Sequence, residues 1–387
     1  MKNEIIGIVG AGAMGSGIAQ VAAQAGHKVM VYDTNQDQIE RASRNLHQIF
    51  EKLVSKEKFT QQEADSILRR IQWVDNLHEL EDCHLVIEAI VEKLEAKRSV
   101  FEVLDSILSE DAILASNTSS LSIASISGAA KDPGRVIGIH FFNPAPLMPL
   151  VEIIPSLATR KAVVDQCVQL IDSWKKTTVL AKDTPGFIVN RVARPFYSES
   201  LKMYEEGVAD IPTIDWALRE VGGFRMGPFE LMDLIGHDVN YVVTETVWTQ
   251  FYYDPRFKPS ITQKRLLEAG MLGRKSGKGF YDHSGNGANP TPDTDFVRGE
   301  EIVDRVLYML INEAADALFM GIGTARDIDL AMTKGVNYPK GLLQWADEKG
   351  IENVVKYLDD LFDEFRDNRY RCCPLLRRMA RSGKTFF

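Results

Sequence analysis

Apolar residues in the first half of the chain come in short runs separated by longer amphipathic stretches. Ile5-Ile6-Gly7-Ile8-Val9 is one such run, and it leads into a glycine-rich turn and a helix of small residues. Lys28-Val29-Met30-Val31-Tyr32-Asp33 reads as a second strand, followed by a long helical region from about Gln36 to Arg70 with Lys and Arg on its polar face. Leu85–Ala89, Ile113–Ser116, Val136–His140, Val151–Ile154 and Thr178–Ala181 read as further buried strands. Short apolar strands alternating with helices predict an α/β fold, a Rossmann-type doubly wound and mostly parallel sheet covered on both faces.

The pattern changes at Asp183-Thr184-Pro185-Gly186-Phe187, after which helical periodicity dominates. The expected division is a dinucleotide-binding domain over 1–183, an all-α domain over 184–282, a linker over 283–299 and a second all-α region over 300–387. The linker reading rests on Ser284-Gly285-Asn286-Gly287-Ala288-Asn289-Pro290-Thr291-Pro292. The last region is a partial internal repeat. Glu199–Asp233 aligns without gaps on Glu313–Asp347, an offset of 313 − 199 = 114. Gly207 then falls on Gly321, Asp215 on Asp329 and Gly227 on Gly341, as duplication predicts. At the same offset Asn190 meets Asp304, so the copy keeps the helix and loses the amide.

Composition narrows the function classes. The 387 residues, 45% hydrophobic and 26% charged, are ordinary for a soluble globular protein of two or three domains. A net charge of −9 argues against a nucleic-acid or anionic-membrane surface. No leader pattern and no run of membrane-spanning length is visible. Cys83, Cys167, Cys372 and Cys373 show neither metal-ligand spacing nor a disulfide framework, so a reducing cytoplasm and no bound metal are expected.

The chemistry starts at Gly10-Ala11-Gly12-Ala13-Met14-Gly15. Gly10 allows a tight turn, Gly12 lets backbone approach a pyrophosphate, and Gly15 lets helix pack on strand. The helix start offers free N–H groups and the positive end of its dipole. Asp33, roughly twenty residues on, can accept both ribose hydroxyls of adenosine and repels a 2′-phosphate. Thr34 and Asn35 follow it rather than Arg, so the reading is NAD and not NADP.

His140, at a strand end beside Phe141 and Phe142, is the acid/base candidate, because imidazole titrates near neutrality. Glu152 interrupts the apolar segment Pro149–Ile154. A buried carboxylate needs a partner, either His140, whose tautomer it would fix, or a Lys or Arg. Ser119, in Ser116-Asn117-Thr118-Ser119-Ser120, and Asn190, near the domain junction, can hydrogen-bond a carbonyl or hydroxyl. The serine-rich run reads equally as a helix N-cap.

These segments, with Asp183–Arg191, Met226-Gly227-Pro228-Phe229-Glu230-Leu231 and Gly273–Tyr281, strongly resemble the L-3-hydroxyacyl-CoA dehydrogenases over residues 1 to about 282. The trailing copy resembles the extended bacterial branch that includes 3-hydroxybutyryl-CoA and 3-hydroxyadipyl-CoA dehydrogenases. The resemblance implies His140 as general base held by Glu152. It implies Ser119 and Asn190 at the reacting oxygen and thioester carbonyl, and Ser119 and Asn143 at the nicotinamide end of NAD. Glu92, Lys97 and Lys275 match cofactor-lining positions. The coenzyme A contacts of the family fall in the helical hairpin after Asp33, where this chain has Ile49 in place of an expected Ser and Lys56 or Lys58 for a phosphate. Family members pair through their helical domains, so the fused copy implies either a homodimer or a pseudo-dimer within one chain. The competing readings are a dehydrogenase of free β-hydroxy acids and a non-catalytic NAD-binding protein.

Overall fold

The computed structural model describes residues 4–285 and 290–387. Contacts divide it into two compact units, Met1–Thr184 and Pro185–Phe387.

The first unit is built on eight strands: β1 (Ile5–Val9), β2 (Lys28–Tyr32), β3 (Ile71–Val74), β4 (Leu85–Glu88), β5 (Ile113–Ser116), β6 (Val136–Phe141), β7 (Leu150–Pro155) and β8 (Thr177–Leu180). They form one sheet in the order β3-β2-β1-β4-β5-β6-β7-β8. β3 to β6 across this order run parallel, as their apolar, double-sided burial requires. β7 turns back antiparallel to β6, and β8 runs parallel to β7. The strand order through β6 is that of a doubly wound dinucleotide-binding sheet, with its reversal between β1 and β4.

The described residues of this unit form the α-helices α1 (Ala13–Gln24), α2 (Gln36–Ser55), α3 (Gln61–Leu68), α4 (Leu94–Ile107), α5 (Ile123–Ser127) and α6 (Lys161–Ser173). The helical region expected over about 36–70 holds two helices, α2 and α3. Thr60 ends the interruption with a capping box, accepting from Glu63 N while Glu63 reaches back to Thr60 N. β3 adds a strand that its short sequence Ile-Gln-Trp-Val, with little periodic signal, does not predict.

The second unit is helical: α7 (Val189–Val192), α8 (Arg194–Glu205), α9 (Ile211–Trp216), α10 (Pro228–Ile235), α11 (His237–Gln250), α12 (Ile261–Glu268), α13 (Phe296–Phe319), α14 (Ala325–Gly335), α15 (Leu342–Lys349), α16 (Ile351–Phe365) and α17 (Pro374–Ser382). Residues 286–289 of the expected linker lie outside the described residues. Its far end is corrected: α13 starts at Phe296, because Asp295 caps it by accepting from Arg298 N.

The repeat is visible in side-chain detail. Asp215 caps α10 through Phe229 N and Glu230 N, and Asp329 caps α15 through Leu343 N and Gln344 N. Asp233 accepts from Phe280 N and Tyr281 N, and Asp347 accepts from Phe386 N and Phe387 N. The correspondence therefore runs to the end of the chain, with an offset that drops from 114 to 386 − 280 = 106. The two copies also exchange partners reciprocally. Arg191 Nε lies 2.6 Å from Glu313 Oε1, and the matching Arg305 Nε lies 3.3 Å from Glu199 Oε2. That i-to-j and j-to-i exchange is the property of a twofold interface. At the position matching Asn190, Asp304 is tied to Lys349 at 2.7 Å. No helix among the described residues is long and apolar enough to cross a membrane.

Candidate active site

At the carboxyl end of β1 the chain makes the turn that the glycines predict. Gly10 has φ +107°, and a Cβ there would lie 2.6 Å from the Ala89 carbonyl. A Cβ on Gly15 would lie 1.8 Å from Gly10 O, so α1 can pack this tightly only with glycine. Beside Gly12 there is nothing within 4 Å of where a Cβ would be. α1 has no side-chain cap and no acid in its first turn, which leaves the first N–H groups, including those of Ala13 and Met14, to an external acceptor. Asp33, just past β2, accepts from Ala11 N at 2.7 Å and from Asn35 N at 2.9 Å. Its carboxylate is thereby fixed against the glycine turn. Gln38 Nε2 donates to Ala11 O at 3.1 Å and holds the same turn from α2, a role no sequence motif announces. An open, uncapped helix start beside a fixed carboxylate fits a dinucleotide.

A second cluster lies where β4 and β5 end. Glu88, fully buried at the last position of β4, accepts from Lys97 Nζ at 2.7 Å, Ser116 Oγ at 2.6 Å and Ile90 N at 2.7 Å. Lys97, 1% exposed, also reaches Glu92 at 3.1 Å. Glu92 Oε1 accepts from Thr118 Oγ1 (2.5 Å), Ser119 N (3.1 Å) and Ser120 Oγ (2.9 Å). Burial pushes the Glu92 carboxyl up, but the Lys97 ammonium and these hydrogen bonds outweigh it and hold it below the usual carboxylate range. Glu92, just ahead of α4, and the buried Lys97 on it together anchor the segment that carries Ser119. The helix cap in this region is Ser122, which accepts from Ser125 N, and not the 116–120 run. Glu88 went unassigned in the sequence, although a charged residue closing the apolar run Leu85-Val86-Ile87 was the signal available.

The third cluster joins β6 to β7. Their antiparallel register sets His140 directly opposite Glu152. His140 Nδ1 and Glu152 Oε2 are 2.7 Å apart, with both residues buried. Of the two partners open to Glu152, it takes the histidine. Glu152 lies in the first half of β7 and not at its carboxyl end. Because β7 reverses, it is near the amino end, and that reversal is what brings it to His140. Phe142 packs its ring 4.5 Å from the imidazole. Asn117 Oδ1 accepts from Phe141 N at 2.8 Å and ties the end of β6 to the β5 loop. Asn143 follows on the exposed surface.

The remaining candidates are separate. Lys56 is the exposed C-cap of α2. In the second unit, Asn190 is half-buried on α7. Lys275 Nζ lies 2.5 Å from Asp238 Oδ1.

The first unit is accordingly a dinucleotide-binding α/β sheet carrying a buried histidine–carboxylate pair, the arrangement of a dehydrogenase. Two family models match: "3-hydroxyacyl-CoA dehydrogenase, NAD binding domain" over residues 5–184, and "3-hydroxyacyl-CoA dehydrogenase, C-terminal domain" over 186–283 and again over 302–385. The 3-hydroxyadipyl-CoA dehydrogenase of Escherichia coli K12 is 37% identical over 97% of each chain. The 3-hydroxybutyryl-CoA dehydrogenase of Bradyrhizobium diazoefficiens is 39% identical over 74% of this chain and 97% of its own. A crystal structure of 3-hydroxybutyryl-CoA dehydrogenase from Escherichia coli K12 superposes with a TM-score of 0.94 at 35% identity, covering 98% of this chain and 99% of that one. The chain belongs to the 3-hydroxyacyl-CoA dehydrogenase family, NAD-binding oxidoreductases whose helical domain it carries in two copies.

Proposed function

We propose that this protein oxidises (S)-3-hydroxyacyl-CoA thioesters to 3-oxoacyl-CoA with NAD, in the cytoplasm. The observation that carries the reading is the buried 2.7 Å contact between His140 Nδ1 and Glu152 Oε2. With Glu152 ionised, Nδ1 keeps its hydrogen and donates it, so Nε2 is the ring's proton-accepting nitrogen. His140 Nε2 takes the proton of the substrate hydroxyl, and the carboxylate of Glu152 offsets the positive charge the ring gains. NAD, when bound, supplies the acceptor for the hydride that leaves the same carbon. The glycine turn Gly10–Gly15 and the start of α1 hold its pyrophosphate, and Asp33 holds the adenosine ribose. Ser119, on the segment anchored by Glu92, and Asn190 donate to the reacting oxygen and the thioester carbonyl. In the reverse direction those donors stabilise the charge that develops on the ketone oxygen. Lys97 acts beneath Glu92, Asn143 and Lys275 line the cofactor, and Lys56 meets a phosphate of coenzyme A.

The reciprocal Arg191–Glu313 and Arg305–Glu199 contacts support a pseudo-dimer of helical domains within one chain. The Asp304–Lys349 pair supports a copy without its own chemistry.

The test compares acetoacetyl-CoA with free acetoacetate as oxidants of NADH. Rapid NADH oxidation by the thioester alone is expected. Equal rates with the free acid would overturn the reading in favour of a β-hydroxyacid dehydrogenase.

A further inference from the structure

Arg194, the first residue of α8, is 5% exposed, so its guanidinium is out of water. The other buried arginines among the described residues each meet a carboxylate: Arg135 meets Asp105, Arg191 and Arg256 meet Glu313 and Asp316, and Arg305 and Arg369 meet Glu199. Arg194 meets none among those residues. Its Nη1 donates to the Thr244 hydroxyl at 3.0 Å, its plane lies 4.9 Å over the Tyr197 ring, and its Nε has no hydrogen-bond partner. The Tyr338 hydroxyl is buried and also without a partner, and its ring lies 5.7 Å from that of Phe196, two residues further along α8. One helical turn beyond Arg194 on α8, the buried Ser198 hydroxyl is likewise unpaired. Burial pulls Arg194 below the ordinary guanidinium range. An unpaired buried cation is costly, and unsatisfied donors beside it add to the cost. The group that would satisfy this set is an anion with several acceptor lone pairs, which a carboxylate supplies and a hydrocarbon does not.

Position says which carboxylate. Asn190 and Arg194 are four residues apart, and Ala193 between the two helices keeps right-handed helical angles. Residues at this spacing share one helix face, about 6 Å apart. In a six-carbon dicarboxylic acyl thioester, the far carboxyl carbon is three bonds from the hydroxyl-bearing carbon, about 4 Å away when extended. A substrate whose reacting oxygen is at Asn190 therefore brings a terminal carboxylate within hydrogen-bond reach of the next turn.

We propose that Arg194, with Tyr338, reads the terminal carboxylate of a dicarboxylic 3-hydroxyacyl-CoA and makes such thioesters the preferred substrate class. This rests on the dehydrogenase reading above. The second copy contributes through Tyr338, which stands where the first has Phe224 (338 − 224 = 114) and so adds the one hydroxyl that Phe224 lacks.

The experiment compares 3-oxoadipyl-CoA with 3-oxohexanoyl-CoA, equal in chain length and differing in the carboxylate, using the full-length enzyme and its Arg194→Met variant. Wild type is expected to favour the dicarboxylic substrate by about 100-fold in kcat/KM, since a site built to pair a polar group rejects the analogue lacking it. In the variant that ratio is expected to collapse to within about threefold. Equal use of both substrates by wild type, or an unchanged ratio in the variant, overturns the proposal. Calorimetric binding of adipyl-CoA against hexanoyl-CoA to wild type gives a second readout that needs neither turnover nor a folded variant. Equal affinities there overturn the carboxylate site even if NADH oxidation proceeds. Tighter adipyl-CoA binding without turnover supports it and faults the dehydrogenase reading alone.

Discussion

Replacing Lys97 with methionine tests whether the Ser119 segment is held by charge. The substitution keeps nearly the length and volume of the side chain, so the perturbation is loss of the ammonium rather than a cavity. Lys97 and Glu88 are 1% and 0% exposed and 2.7 Å apart, so water cannot replace the lost partner. Glu88 keeps its hydrogen bonds from Ser116 and Ile90 but loses its only positive neighbour among the contacts described. Breaking a buried pair from one side costs about 3–5 kcal/mol. For a unit of this size, that is roughly 6–20 °C in melting temperature at neutral pH. The pH dependence has a definite sign. Glu92 is held below its ordinary value of 4.5, so its contribution is complete above that value and is lost as pH falls through the lower, folded one. Once protonated, Glu92 no longer needs Lys97, and the gap between wild type and variant therefore narrows on acidification. Thermal melts by circular dichroism at pH 7.5 and in acid read both effects. A variant melting within about 2 °C of wild type at pH 7.5, or a gap that widens in acid, would refute the reasoning.

Two further outcomes follow from the same geometry. Asp33→Ala should weaken NADH binding and relax the exclusion of NADPH, because the carboxylate fixed by Ala11 N and Asn35 N is removed; an unchanged ratio of kcat/KM for the two cofactors would refute its ribose role. Truncation near residue 285 removes α13, which buries Val306, Leu307, Leu310 and Ile311 in the second unit. The shortened chain should dimerise or precipitate in sedimentation experiments, and a soluble monomer would count against the pseudo-dimer.

What the sequence made legible was whatever a local pattern encodes. The glycine turn, the apolar strands and the 114-residue repeat are written in contiguous residues, and all are found in the structure. His140 and Glu152 were legible as candidates because each is a polar residue in an apolar run. Their contact, however, depends on the antiparallel return of β7, which no periodicity marks. Glu88 and Gln38 were missed because their roles are set by partners nine and twenty-seven residues away. The tail of the repeat was missed because the offset changes, and only the shared use of Asp233 and Asp347 as backbone acceptors reveals it.

The central claim is most directly tested by His140→Gln, assayed for acetoacetyl-CoA reduction alongside NADH binding by fluorescence. Retained NADH affinity with turnover lowered by roughly two to four orders of magnitude is the predicted result. Turnover near that of the unaltered enzyme would contradict the account, since the substrate proton would then leave by a group other than His140.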